Sequence, residues 1–379
     1  MAVGLYVHVP FCASRCGYCD FNTYAGLDGL IEEYVPALEW EMQARAEEAP
    51  RVRTVYIGGG TPTHLPQETL EHLLRTISST FQVHADAEFT VEMNPGDADE
   101  ARLRRLREAG VNRMSMGAQA FDDRLLASLQ RRHNSREAAE AVHAARRAGF
   151  TNISLDLMYA IPGQTMDDWK RTLEQAIALA LQHISTYSLT IEPGTPFARL
   201  QEQGLLDRPG HDEEADMYGL ACATLEQAGY QHYEVSNFAL PGRRCRHNEG
   251  YWRGEGYIGI GAGAHSYLRG VRWWNVKHPR DYIGLTEQGA LPVAGAERLS
   301  VESRMDESVM LGLRLSDGLS ASAFRSRFGR DFREVYRTGV QQARCAGLAR
   351  IAGDRLALTA AGAMLGDRVA VQIVGGGDD

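Results

Sequence analysis

HVPFCASRCGYCDF, residues 8–21, sets Cys12, Cys16 and Cys19 in one short loop with the spacing C-x3-C-x2-C. A structural iron–sulfur site normally takes four thiolates. A structural zinc site also wants four closed ligands, usually starting from a tighter C-x2-C pair. This loop offers three, so a four-iron cubane held here keeps one iron open, and an open metal position is where chemistry happens. The competing readings are three ordinary buried thiols, or a zinc knuckle completed by His8. Three of the chain's six cysteines fall within this one loop, which favours a metal site over chance clustering.

Working outward, the first half alternates short β-runs with longer helical stretches, the pattern of a parallel sheet of βα units. Strands are predicted over 5–9, 54–57, 88–92, 113–116, 153–157 and 184–190, with helices over 30–46, 68–78, 101–109, 135–148 and 166–181. Six such units make an α/β fold that curls into a partial TIM-type barrel. An open doubly wound sheet is disfavoured, because the unusual residues recur at many strand ends rather than at one crossover. The expected division is a barrel over 1–200, an extension over 201–295, a smaller helical domain over 300–374 and a disordered tail over 375–379. A helix is predicted near 213–228. The run 348–358 between helical patterns reads as the hairpin of a winged-helix-like module.

Bulk properties narrow the class. The 379 residues are 44% hydrophobic and 23% charged, as in ordinary globular proteins. No apolar run approaches bilayer length and no signal-peptide pattern opens the chain, so a cytoplasmic location is expected. The net charge of −9 argues against broad nucleic-acid binding. Arg325, Arg327, Arg330 and Arg333 read as a solvated basic face. Cys222 and Cys345 read as ordinary buried thiols.

In a parallel barrel the functional rim is built from the loops that follow each strand. The cysteine loop follows strand one, and Gly58–Pro62 follows strand two, where consecutive glycines admit close backbone approach. Glu92 ends strand three, Gln119 follows strand four, Asp156 lies in strand five, and Thr190 and Glu192 close strand six. Together they offer hydroxyl acceptors, an ammonium acceptor and backbone contacts, which suit a zwitterionic nucleoside cofactor.

The cysteine spacing, with Tyr18 before the last cysteine, resembles the signature of the radical S-adenosylmethionine (SAM) superfamily. The resemblance implies a [4Fe-4S] cluster on Cys12, Cys16 and Cys19 whose open iron chelates SAM, an electron donor for the cluster, and cleavage of SAM to a 5′-deoxyadenosyl radical. Over residues 5–275 the chain is similar to the branch holding oxygen-independent coproporphyrinogen III oxidases and HemW-type heme chaperones. That similarity implies Tyr6 of YVHVP beside the cluster, and Gly59, Gly60 and Thr61 of GGGTPT against the methionine end of SAM. It further implies SAM contacts for Glu92 of EMNP, Gln119 of RMSMGAQAF, Arg131 of LQRRH, Asp156 of ISLDLMYAIPGQT as a ribose partner, and Thr190 through its main chain.

Within the branch an oxidase, or another tetrapyrrole-directed radical SAM enzyme, competes with a chaperone that binds heme and hands it to an acceptor protein. The oxidases carry a segment before strand one that is expected to be absent here. They also carry a further cysteine two residues after the third ligand, where this chain has Phe21. His247-Asn248-Glu249-Gly250-Tyr251-Trp252 matches the H-N-x-x-Y-W motif of the chaperones. The expectation is therefore a chaperone, with His247 as axial ligand to heme iron, Tyr251 and Trp252 against the macrocycle, and Arg246 near a propionate. Cys245 is a rival ligand, and so is His265, although the glycines and alanines around it in GIGAGAHSY suggest tight backbone packing and favour a structural role for it.

Overall fold

The computed structural model describes residues 2–49 and 51–376. Six parallel strands carry the first half: β1 (Val3–Val9), β2 (Val52–Gly59), β3 (Val83–Met93), β4 (Arg113–Gln119), β5 (Ile153–Tyr159) and β6 (His183–Ser188). They lie side by side in chain order, with the helices Ile31–Arg45, Gln67–Thr80, Glu100–Glu108, Ser135–Arg147 and Met166–Ala178 returning between them. This is the α/β half-barrel that the alternating pattern predicts. The observed bounds differ from the predicted ones by up to five residues; the shift that bears on the site is in β6, which stops at Ser188, so Thr190 lies in the loop beyond it.

The sheet continues through the segment expected as an extension. After the helix His211–Gln227, β7 (Gln231–Glu234) and β8 (Asn237–Ala239) form an antiparallel hairpin against β6. At the other edge β9 (Tyr257–Ile260) pairs in parallel with β1, followed by antiparallel β10 (His265–Leu268), β11 (Val271–Asn275) and β12 (Val293–Arg298). The twelve strands run β12-β11-β10-β9-β1-β2-β3-β4-β5-β6-β8-β7. A Cβ on Gly259 would stand 2.2 Å from the carbonyl oxygen of His265, so only glycine lets β10 fold back so closely.

Period-2 alternation divides the strands into two chemistries. One set packs under the helices in a single apolar core that includes Leu5, Val7, Val55, Ile57, Phe89, Val91, Met114, Leu155 and Ile184. The alternate set is polar and meets across the sheet: Tyr6 opposite Tyr56, Thr54 opposite Glu88, Thr90 opposite Arg113, and Asp156 opposite Ser185. Glu88 and Arg113 are 6% and 2% exposed, a carboxylate and a guanidinium inside the curl. The short helix Arg246–Trp252 answers Glu88 directly. Its Arg246 and His247 backbone N–H groups each donate at 3.0 Å to the Glu88 carboxylate, and the Cys245 thiol lies 3.5 Å from it. A carboxylate from β3 thus caps a helix more than 150 residues downstream.

A second core, including Met305, Val309, Phe324, Phe332, Val340, Leu356 and Ile373, organises the C-terminal segment. Its order is helix Val301–Gly312, strand Leu319–Ser320, helices Ala321–Phe328 and Arg337–Cys345, then the hairpin Ala349–Ala352 and Arg355–Leu358. Leu319–Ser320 pairs with the second hairpin strand, as in a winged helix. Of the expected tail, Gly375 ends the helix Gly366–Gly375, and residues 377–379 lie outside the described residues. Among the described residues no helix is long and apolar enough to cross a membrane.

Removing Glu88 takes away a buried negative charge that favours the Arg113 guanidinium and uncaps the helix at Arg246. Glu88→Ala is expected to cost about 3–5 kcal/mol in urea unfolding, and the apolar pair Glu88→Leu with Arg113→Met to recover part of that loss. Equal stability of Glu88→Ala and the parent would show that the buried charge does not hold the fold together.

Candidate functional site

The β1 strand delivers Cys12 to the rim, and Cys16 and Cys19 follow in the loop. All three are free thiols, half-buried around a cavity of about 160 Å³. Gly59, Gly60, Thr61, Glu92, Gln119, Arg131 and Asp156 line the same cavity. Residues from five strand ends therefore converge where the sequence placed them. Thr190 does not join them: it is exposed beyond the end of β6 and is absent from the cavity wall.

Local geometry explains each position. The Gly60 N–H donates to the Val9 carbonyl at 2.8 Å and the Thr61 N–H to Phe11 at 2.9 Å, which ties the glycine turn to the start of the cysteine loop. Gly59 has φ +113°, and a Cβ there would stand 2.4 Å from the His8 ring. Its N–H donates at 3.0 Å to one Glu92 oxygen, while the Tyr56 hydroxyl donates at 2.7 Å to the other. Asp156 accepts from Ser185 at 2.8 Å and from Ser115 at 3.4 Å. Gln119 holds φ +67° at an irregularity in the β4–β5 register. That backbone costs on the order of 1–2 kcal/mol for a non-glycine residue, and strain of this kind collects at functional sites.

Arg131 brings a guanidinium close to a thiol. One terminal nitrogen lies 3.4 Å from Cys16 Sγ and the other donates to the Gly117 carbonyl at 2.6 Å. Its Nε is buried with no protein partner. Burial pushes the Cys12 thiol up to about 11, opposed by the Thr61 hydroxyl at 3.7 Å. Among the described residues no three His, Cys, Asp or Glu side chains are gathered as ligands of a single ion. A cubane takes one thiolate at each of three separate irons, so its thiols stand wider apart than that. The donor set of three thiols beside a guanidinium, with polar groups behind, fits such a cluster and a zwitterionic ligand on its open corner.

A second, larger cavity of about 700 Å³ adjoins the first, and Phe21, Gly59 and Glu92 line both. Tyr6 faces this larger space rather than the cysteine cavity, together with His8, Tyr251, Trp252, Tyr257, His265 and Tyr267. The expected heme residues divide here. Tyr251 and Trp252 reach the cavity, whereas His247 lies behind them, 3% exposed. Both His247 ring nitrogens are engaged, Nδ1 with Thr54 Oγ1 at 2.9 Å and Nε2 with the Tyr251 hydroxyl at 2.8 Å. Burial pulls its pKa down to about 3, aided by Arg53 and Arg113. In this arrangement His247 positions Tyr251 and has no nitrogen free for iron. Arg246 turns away to the Asp86 carbonyl, and Cys245 is fully buried, its thiol pushed up to about 12 by that burial. Cys345 is exposed and Cys222 half-buried, so neither is the buried thiol expected. Of the tail arginines, Arg325 and Arg333 pair with Asp331, while Arg327 lines the larger cavity.

The chain is similar to known proteins along most of its length. Residues 6–176 match the radical SAM superfamily and residues 299–365 the HemN C-terminal domain. The chain is 42% identical to heme chaperone HemW of Mycobacterium tuberculosis, over 98% of this chain and 95% of that one. It is 38% identical to heme chaperone HemW of Bacillus subtilis, over 96% and 97% of the two chains. The chain belongs to the HemW family of the radical SAM superfamily. Its fold is also that of Escherichia coli coproporphyrinogen III oxidase (HemN), with a TM-score of 0.86 over 98% of this chain and 90% of that one, at 24% identity. Tyr56, Ser115 and Ser185, which hold Glu92 and Asp156, escaped the motif reading; their signal was the polar period-2 face of the strands.

Burial raises the Glu92 pKa from 4.5 to about 7, against the stabilising bonds from Tyr56 and Gly59. In the ligand-free protein the folded state keeps this proton at a pH where the unfolded chain has lost it. The group's contribution to stability is therefore full below pH 4.5 and falls as pH rises towards about 7. Glu92→Gln is expected to flatten this part of the curve of unfolding midpoint against pH; an unchanged slope would assign it to other groups.

Proposed function

We propose that this chain is a heme chaperone: it binds heme and passes it to an acceptor protein, working in the cytoplasm. The observation that carries the reading is the cavity of about 700 Å³, walled by aromatic side chains and arginines and adjoining the cysteine cavity. Its size falls in the range of about 300–1,000 Å³ typical of cofactor sites. The curated relatives named as heme chaperones support the same reading.

In this proposal Cys12, Cys16 and Cys19 hold a [4Fe-4S] cluster served by an external electron donor, and SAM occupies the rim. Bound there, the pair would supply the reductive SAM chemistry of the superfamily. The chain's own residues then have distinct tasks. The Glu92 carboxylate, fixed by Tyr56 and Gly59, offers an acceptor to an ammonium group. Asp156, held by two serines, offers one to ribose hydroxyls. Arg131 sets positive charge beside the Cys16 thiolate, and the Gly59–Gly60 backbone shapes the floor. Phe21, at the shared wall, stands where the resembling oxidases carry a further cysteine, which tells against the alternative of a coproporphyrinogen oxidase.

Anaerobically reconstituted protein is expected to bind close to one heme per chain in a saturable Soret titration. Incubated with coproporphyrinogen III, SAM and a reductant, it is expected to release no decarboxylated product. Failure to bind heme, or steady decarboxylation, would replace the chaperone with the oxidase. Replacing Cys12, Cys16 and Cys19 by alanine is expected to remove the iron–sulfur absorbance and leave heme binding intact, since none of the three lines the larger cavity.

A further inference from the structure

The larger cavity contains chemistry that the cysteine site does not use. His265, on β10, exposes its imidazole to this space, its ring stacked on Trp274 with centroids 6.0 Å apart. Among the described residues no protein group hydrogen-bonds to either of its ring nitrogens. The other histidine on the wall, His8, has both nitrogens taken, by the Tyr6 hydroxyl and the Asn22 carbonyl, each at 2.9 Å. Burial, with Arg272 and Lys277 nearby, holds His265 below the usual histidine pKa, which keeps a lone pair available.

Facing the sheet, the C-terminal segment contributes Arg304 and Arg327. Neither is paired with a carboxylate among the described residues. Arg304 stands 5.7 Å over the Phe328 ring, and its Nε is buried without a protein partner. Arg327 donates only to neutral oxygens, the Tyr267 hydroxyl at 3.1 Å and the Arg253 carbonyl at 3.5 Å. The third arginine on the wall, Arg272, is already neutralised by Glu297 and Glu307. Between these groups lie Trp252, Tyr257, Tyr267, Met310 and Leu311. The wall therefore offers a free imidazole, flat apolar surfaces and two guanidiniums lacking anions. A planar macrocycle bearing a Lewis-acidic metal and two carboxylates complements each of these features.

We propose that His265 is the axial ligand of heme iron and that Arg304 and Arg327 receive the two propionates, so that heme is clasped between the sheet and the C-terminal segment. This rests on the heme-binding reading and assigns its residues. Ligation is a lone-pair donation from His265 to iron in place of a solvent ligand, and no electron changes hands. The H-N-x-x-Y-W helix then serves as the wall behind the macrocycle, with His247 steadying Tyr251.

The test is a hemin titration of the full-length protein, comparing wild type with His265→Ala, His247→Ala, Arg304→Gln and Arg327→Gln. His265→Ala is expected to lose the Soret position and ligand-field signature of a histidine adduct, and free imidazole to restore them, which a misfolded variant could not do. Each arginine variant is expected to weaken binding about tenfold, the scale of one charged hydrogen bond, with the Soret band unmoved. Both should bind heme dimethyl ester, which lacks the carboxylates, as well as the wild type does. A wild type that binds heme and a His265→Ala variant with an unchanged spectrum would overturn the assignment and leave the chaperone reading standing. Loss of the adduct in His247→Ala alone would move the ligand there. A wild type that binds no heme would sink the underlying reading itself.

Discussion

Glu88 and Arg113 place a carboxylate and a guanidinium inside a curled sheet, and much of the molecule is arranged to make that tolerable. An isolated buried charge costs several kcal/mol, and the interior here carries both signs together with Asp156 and Glu92. The polar alternate face of six strands supplies part of the answer through Tyr56, Ser115 and Ser185. The rest comes from the helix Arg246–Trp252, whose N-terminal N–H groups meet Glu88. Because that helix must sit there, the chain beyond β6 has to return to the open edge beside β1. It adds β9 on the way, and β10–β12 then carry the sheet outward.

This return path creates the second cavity. β9 and β10 bring Tyr257, His265 and Tyr267 next to the end of β1, and the capped helix brings Tyr251 and Trp252 to the same wall. The C-terminal segment closes the far side with Arg304 and Arg327. The two cavities share Phe21, Gly59 and Glu92, so a glycine turn and one carboxylate stand between the cysteine loop and the larger space. Glu92 is held from behind by Tyr56, whose ring also lies 5.2 Å from that of His247. The sulfur-bearing rim and the aromatic chamber are thus joined through the polar interior of the half-barrel.

The legible parts of the site were those fixed by neighbours in sequence. The cysteine spacing, the glycine turn after β2, the strand-end positions of Glu92 and Gln119 and the place of Asp156 within β5 all follow from local pattern, because the strands deliver their C-terminal halves to one rim. Thr190 lies off the cavity wall because β6 ends at Ser188, two residues before it. His247 was legible as part of a motif, yet its role was not: an imidazole beside aromatics looks the same in sequence whether it faces a ligand or is engaged on both nitrogens.

What the sequence determined by itself is the α/β half-barrel, the three-thiolate loop and the winged tail, since hydrophobic periodicity and short spacings encode them within a few residues. What only the tertiary structure decided is the extension of one sheet at both edges, the capping of a helix by Glu88, and the meeting of His265 with Arg304 and Arg327. The reason is distance along the chain: Glu88 and His247 are linked across 159 positions, and a hydrogen bond of that kind leaves no periodic mark on either segment.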